Sequence, residues 1–190
     1  MAKKRNRCFI LLLLLFISAC THEGIEIPYF DFIVYSPGPQ DSGNASANVF
    51  DKTWRATAYI FPNEQDTQFM AVRFETYSPE GFIRDEVFFG NFALKEGSYS
   101  VVDDSSAGIL QDDYVVYGGH GQYQDDGDVL IGAYILDQRY QNNLFIDRID
   151  TVAHIIEGRF NALFKLREEY SHHNIAKLIL FKDGEYTVNY

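Results

Sequence analysis

Cysteine is almost missing from this chain. Cys8 and Cys20 are the only two in 190 residues, and both fall in the first twenty. The stretch after residue 20 therefore offers no disulfide, no thiolate metal ligand and no cysteine nucleophile. Basic residues are scarce too, 16 against 27 acidic ones, for a net charge of −11. Removing residues 1–19 takes away Lys3, Lys4, Arg5 and Arg7 but no acid, which leaves −15. Such a surface repels phosphate backbones and excludes a nucleic-acid partner. Long apolar runs are absent apart from Phe9–Ile17, which is too short to span a bilayer. There is no Gly-x-Ser-x-Gly elbow and no His-x-His pair, and Gly118-Gly119-His120-Gly121 lacks the Lys-Ser/Thr of a phosphate loop. Aromatics, by contrast, reach 16% and hydrophobics 46%, too many for a disordered chain.

The first nineteen residues have the layout of a secretory signal: a basic head, an apolar run, then Ser18 and Ala19. Ile17-Ser18-Ala19-Cys20 resembles the lipobox of bacterial lipoproteins. That resemblance implies cleavage before Cys20 and acylation of its thiol and amine, and so membrane attachment through the lipid at Cys20. Thr21 stands where lipoproteins kept at the inner membrane often carry Asp. The same resemblance therefore implies the outer membrane, on either its periplasmic or its outer face.

Residues 20–48 read as the lipidated N-terminus and a tether, because Pro28, Pro37, Gly38, Pro39, Gly43 and the run 44–48 oppose regular structure. Within them, 25–35 (IEIPYFDFIVY) is apolar enough to be an edge strand. From 49 to 190 strand follows strand. Trp54–Phe61, Phe69–Tyr77, Phe82–Phe92, Gly97–Val102, Tyr114–Tyr117, Val129–Leu136, Leu144–Ile149 and Ile155–Phe164 alternate or are β-rich. Ile175–Phe181 and Tyr186–Tyr190 read as a final hairpin around Asp183-Gly184, and Phe164–Tyr170 is the one helical candidate. In Phe69–Tyr77, Met70, Val72, Phe74 and Thr76 share one face and Arg73 and Glu75 the other. The expectation is a single all-β domain, an antiparallel β-sandwich or open barrel of about eight to ten strands.

Over residues 50–190 the chain resembles a group of uncharacterised small β-rich lipoproteins of Bacteroidota-type bacteria. The resemblance rests on Trp54-Arg55-Ala56, Gly97-Ser98-Tyr99, the run 146–150, Ile156-Glu157-Gly158-Arg159-Phe160 with Phe164, and Asp183-Gly184-Glu185-Tyr186. It implies a β-rich fold and an envelope location, and it brings no catalytic residue. Asp150-Thr151-Val152 also resembles the Asp-Ser/Thr-apolar acceptor that such bacteria glycosylate.

Candidate sites come in three kinds. Tyr114, Tyr117, Tyr123, Tyr134 and Tyr140 cluster mid-chain and could form a stacking platform for a glycan or a protein partner, or simply cover strand faces. Asp125, Asp126 and Asp128 are candidates for Ca²⁺, although Asp also serves turns by bonding local N–H groups. Asp103-Asp104 and Asp112-Asp113 extend the acidic pairs from which a glycan hydrolase would draw two carboxylates. His120, His154, His172 and His173 read as solvated loop histidines rather than ligands of a metal or haem. The expectation is a non-enzymatic, lipid-anchored binding module with no cofactor. The alternatives are a small hydrolase and a Ca²⁺-stabilised module.

Overall fold

The computed structural model describes residues 42–63, 68–103, 115–124, 126–171 and 174–190. The signal, Cys20, the 25–35 segment, Tyr114, Asp125, His172 and His173 lie outside the described residues. Among the described residues there are ten strands: β1 (Gly43–Val49), β2 (Lys52–Pro62), β3 (Phe69–Tyr77), β4 (Ile83–Ala93), β5 (Gly97–Asp103), β6 (Val116–Tyr123), β7 (Leu130–Leu136), β8 (Asn143–Asp150), β9 (Ile155–Leu166) and β10 (Leu178–Asn189). Nine of them close into a barrel in the order β10-β1-β2-β3-β4-β6-β5-β8-β9, with β9 pairing back onto β10 and β7 as an additional strand. The expected all-β architecture is thus a barrel with its sheet closed on itself.

Hydrogen-bond register shows how the extra strand fits. Val116–Gly118 of β6 pairs in parallel with β5, whereas Gly119–Tyr123 pairs with β7. Likewise 155–161 of β9 pairs with β8, and Phe164–Leu166 pairs with β7. One end of the barrel is therefore closed by β5 and β8, the other by β7 alone. Asn142 plugs the branch point between them. Its Nδ2 donates to the Asp137 and Tyr140 carbonyls, its Oδ1 accepts the Leu163 N–H at 2.8 Å, and its own carbonyl accepts the Val101 N–H. Beside it the buried Asp137 carboxylate holds the guanidinium of Arg139, which lowers its pKa to about 2.

Inward-facing side chains fill the barrel. Trp54, Phe74, Phe89, Phe160, Phe164 and Phe181 are fully buried and meet as offset and edge-on rings, such as Phe74 on Phe160 at 4.9 Å. Small residues make room for them. A Cβ at Gly158 would lie 2.2 Å from the Phe145 carbonyl oxygen, and one at Gly184 2.5 Å from the Phe160 ring. Large rings opposite glycine are how a narrow barrel is packed without voids.

Four local expectations are corrected. The run 44–48, read as tether, is strand β1, whose Ala45, Ala47 and Val49 face the core between β2 and β10. Its small polar residues suit a strand packed against crowded neighbours. The strand expected at Tyr114–Tyr117 does not stop there but runs on through Gly118-Gly119-His120-Gly121, the middle of β6. Lys182-Asp183 is a bulge within one continuous β10 rather than a hairpin tip, because the segments on both sides pair with the same strands, β9 and β1. Asp183 takes φ 52°, a value that serves a bulge as readily as a turn. Finally, β9 runs on to Leu166, and only a 3₁₀ turn, Glu168–Tyr170, follows it where a helix was expected.

Candidate functional site

The outer wall differs sharply between two sides. On β8 and β9 it carries exposed ion pairs: Arg159 with Asp147 at 2.8 Å, and Arg148 with Asp150 at 2.7 Å and Glu157 at 3.5 Å. On β2, β3, β4 and β6 the outward positions include six half-buried aromatics, namely Tyr59, Phe61, Tyr77, Phe88, Tyr117 and Tyr123. Strand alternation explains the sorting. Phe74 and Thr76 point inward on β3, so Arg73, Glu75 and Tyr77 point outward. On β6, Val116, Gly118, His120 and Gln122 point inward and leave Tyr117 and Tyr123 outside.

Glu75 is the centre of this wall, and although it faces outward it is only 6% exposed. Tyr77 donates its hydroxyl proton to Glu75, so the Tyr59 hydroxyl must be the donor in its 2.7 Å contact with Tyr77. Arg73 lies over the Phe61 ring at 5.2 Å, and its Nη1 reaches the other Glu75 oxygen at 3.4 Å. Burial and the bond to Glu75 push the Tyr77 phenol well above its ordinary pKa. Register places Glu86 of β4 directly opposite Glu75. Glu86 is also raised, first by desolvation and further by the Glu75 charge, against the pull of Arg73. On its other side the partner in β6 is Gly121, with the Tyr123 ring alongside. Burial raises the Tyr123 phenol as well.

A second polar group lies inside the barrel. Asp85 accepts from Thr76 Oγ1, from Gln122 Nε2 and from His120 Nε2, each at 3.3 Å. The Tyr134 hydroxyl lies 2.7 Å from Gln122 Oε1 and 2.9 Å from the Ala176 carbonyl. His120 is ringed by Tyr134, Phe164 and Phe181 at 4.8–5.6 Å. With Nε2 donating, Nδ1 is left as a buried acceptor without a hydrogen bond among the described residues. An Asp–His pair is familiar from catalysis, but here the histidine side chain is fully shielded. The group acts as a clasp joining β3, β4, β6, β7 and the segment before β10.

The residues singled out from sequence scatter accordingly. Tyr117 and Tyr123 sit on the aromatic wall, whereas Tyr140 lies on the β7–β8 loop, its N–H bonded to Asp137. Tyr134 belongs to no platform, because it faces inward on β7 and is 3% exposed. His120 is likewise no loop histidine; among the described residues His154 alone has that position, in the β8–β9 turn. Asp126 and Asp128 are exposed, and Asp126 Oδ1 accepts the Asp128 N–H, as a turn requires. Asp103 is buried at the end of β5. Among the described residues no group of three or more His, Cys, Asp or Glu is placed to hold a metal ion. Asp150 accepts the Val152 and Ala153 N–H groups and so caps an exposed turn that displays Thr151. Tyr59, Phe61, Arg73, Glu75, Tyr77, Glu86 and Phe88 were not singled out as a site. Only the β3 alternation hinted at them, since their neighbourhood depends on long-range register.

No protein-family model, no curated protein and no solved structure matches the chain.

Proposed function

We propose that the chain is a lipid-anchored outer-membrane lipoprotein, acylated at Cys20, whose barrel binds an envelope protein or a glycan and catalyses no reaction. The observation that carries the binding role is the contrast between the outer walls. Six half-buried aromatics occupy β2, β3, β4 and β6, while ordinary exposed ion pairs cover β8 and β9. Aromatic surface in contact with water is unfavourable unless something covers it, and tyrosines are frequent interface anchors. The anchor rests on the lipobox-like run 17–20 and its basic, apolar prelude.

Two linked experiments test this. Labelled palmitate is incorporated into the wild type, which sediments with outer membranes; Cys20→Ser abolishes both. A soluble, unlabelled wild type overturns the anchor. In a screen of envelope extracts and glycans, the ligand protects Tyr59 and Tyr123 from chemical modification. Protection of the β8–β9 wall instead overturns the assignment of the face.

A further inference from the structure

We propose that the β2–β3–β4–β6 wall takes a protein segment that presents an arginine or lysine side chain to the Glu75–Glu86 pair. This rests on the reading of that wall as the binding face and adds the chemistry of the occupant. The two carboxylates are direct cross-strand partners, an arrangement that destabilises a sheet. One cation serves both: Arg73 Nη1 lies 3.4 Å from Glu75, and its Nε lies 3.8 Å from Glu86. Two acids and one base leave one negative charge in excess at a partly desolvated place. Glu75 is already engaged by Tyr77 and Arg73, whereas the Arg73 contact to Glu86 is beyond hydrogen-bonding reach.

Glu86 is therefore the group with capacity to spare. Its other ladder neighbour, Gly121, has no side chain of its own, and the Tyr123 ring lies over it together with the Leu130 side chain. A guanidinium or ammonium entering there meets a carboxylate and a flat π-face together, the combination that holds a cation best. A neutral sugar hydroxyl could satisfy one lone pair but would leave the like-charge repulsion in place. The acid excess of the whole chain, −11, steers a basic partner in the same sense.

The test uses the full chain purified in detergent and a fluorescent peptide with two arginines among leucines. Its twin carries citrulline, which keeps the shape and removes the charge. The arginine peptide binds, the citrulline twin binds about tenfold more weakly or worse, and Glu86→Gln weakens the arginine peptide by a similar factor. Glu185→Gln, on the far side at β10, leaves it unchanged. An unshifted melting transition shows that Glu86→Gln is folded, and Glu86→Ala repeats the measurement should it not be. Equal binding of both peptides, or indifference to Glu86→Gln, overturns the proposal. If Tyr59→Ala still weakens binding in that case, the wall remains the binding face and only the cationic occupant is lost. If cellohexaose binds, is sensitive to Tyr59→Ala and competes with neither peptide, the occupant is a glycan. If Tyr59→Ala and Glu86→Gln both change nothing, the face itself is wrong.

Discussion

Asn142 does more than its size indicates. It closes hydrogen bonds to β5, to β9 and to its own loop at the point where β7 gives way to β5 and β8. Asn142→Ala leaves the Leu163 N–H unpaired in a buried place and takes from the Asp137 carbonyl one of its two donors, the other being the Tyr140 N–H. It should lower stability by about 2–4 kcal/mol in urea denaturation. Asp85→Ala should cost about 3 kcal/mol or more, because His120, Gln122 and Thr76 lose their shared acceptor inside the barrel. A wild-type midpoint in either variant would show that the plug or the clasp is idle. Residues of this kind were illegible in the sequence. Asn142 looks like loop composition, and His120 looks exposed because it sits among glycines. Tyr134 differs from Tyr123 only in strand phase, which decides that one is core and the other wall.

At the level of elements, the alternation of β3 was legible, and it correctly set Arg73 and Glu75 apart from Phe74. The pairing of Glu75 with Glu86 was not, since register between strands is fixed by turns and packing that leave no local pattern. β6 was half hidden by its glycines, which exist because rings lie on them; a Cβ at Gly119 would come 2.6 Å from Phe88. β10 was cut in two by Asp183-Gly184, a pair that reads equally as turn or bulge. The two readings of β10 separate experimentally. The bulge inserts one extra residue against both neighbours, so deleting Asp183 should restore regular pairing and keep the fold. The expected loss is roughly 1 kcal/mol, including the bond from its N–H to Asn161. Were it a hairpin tip, the deletion would displace the last strand and unfold the domain. Gly158→Ala is the opposite case. Its Cβ meets a backbone carbonyl at 2.2 Å, and β9 must shift at a cost of about 3 kcal/mol. A normal melting temperature for that variant would contradict the packing described.

For the whole molecule, pH acts through groups of both signs. Asp137, Asp147 and Asp150 are lowered by Arg139, by Arg159 and by turn N–H groups respectively. Their contribution is present above the ordinary aspartate value and is lost as pH falls through the lowered ones. Glu86 is raised, so its contribution is present in mild acid and is lost as pH climbs past the ordinary glutamate value. The net charge of −11 adds self-repulsion that also grows with pH. Melting temperature should therefore rise as pH is lowered from neutrality towards the ordinary glutamate range and fall again below it. Glu86→Gln should flatten the upper slope. A monotonic rise with pH would be inconsistent with a desolvated Glu86.

If the proposed binding face is right, one wall of the barrel, β2–β3–β4–β6, is covered by a partner in the cell. Hydroxyl-radical footprinting of the protein in intact envelopes, against the same protein purified in detergent, tests it most directly. Tyr59, Phe61, Phe88 and Tyr123 should be protected in the envelope, while Phe145 on the β8 wall and Tyr190 at the chain end react alike in both. Equal reactivity of the four wall residues in the two preparations would contradict it.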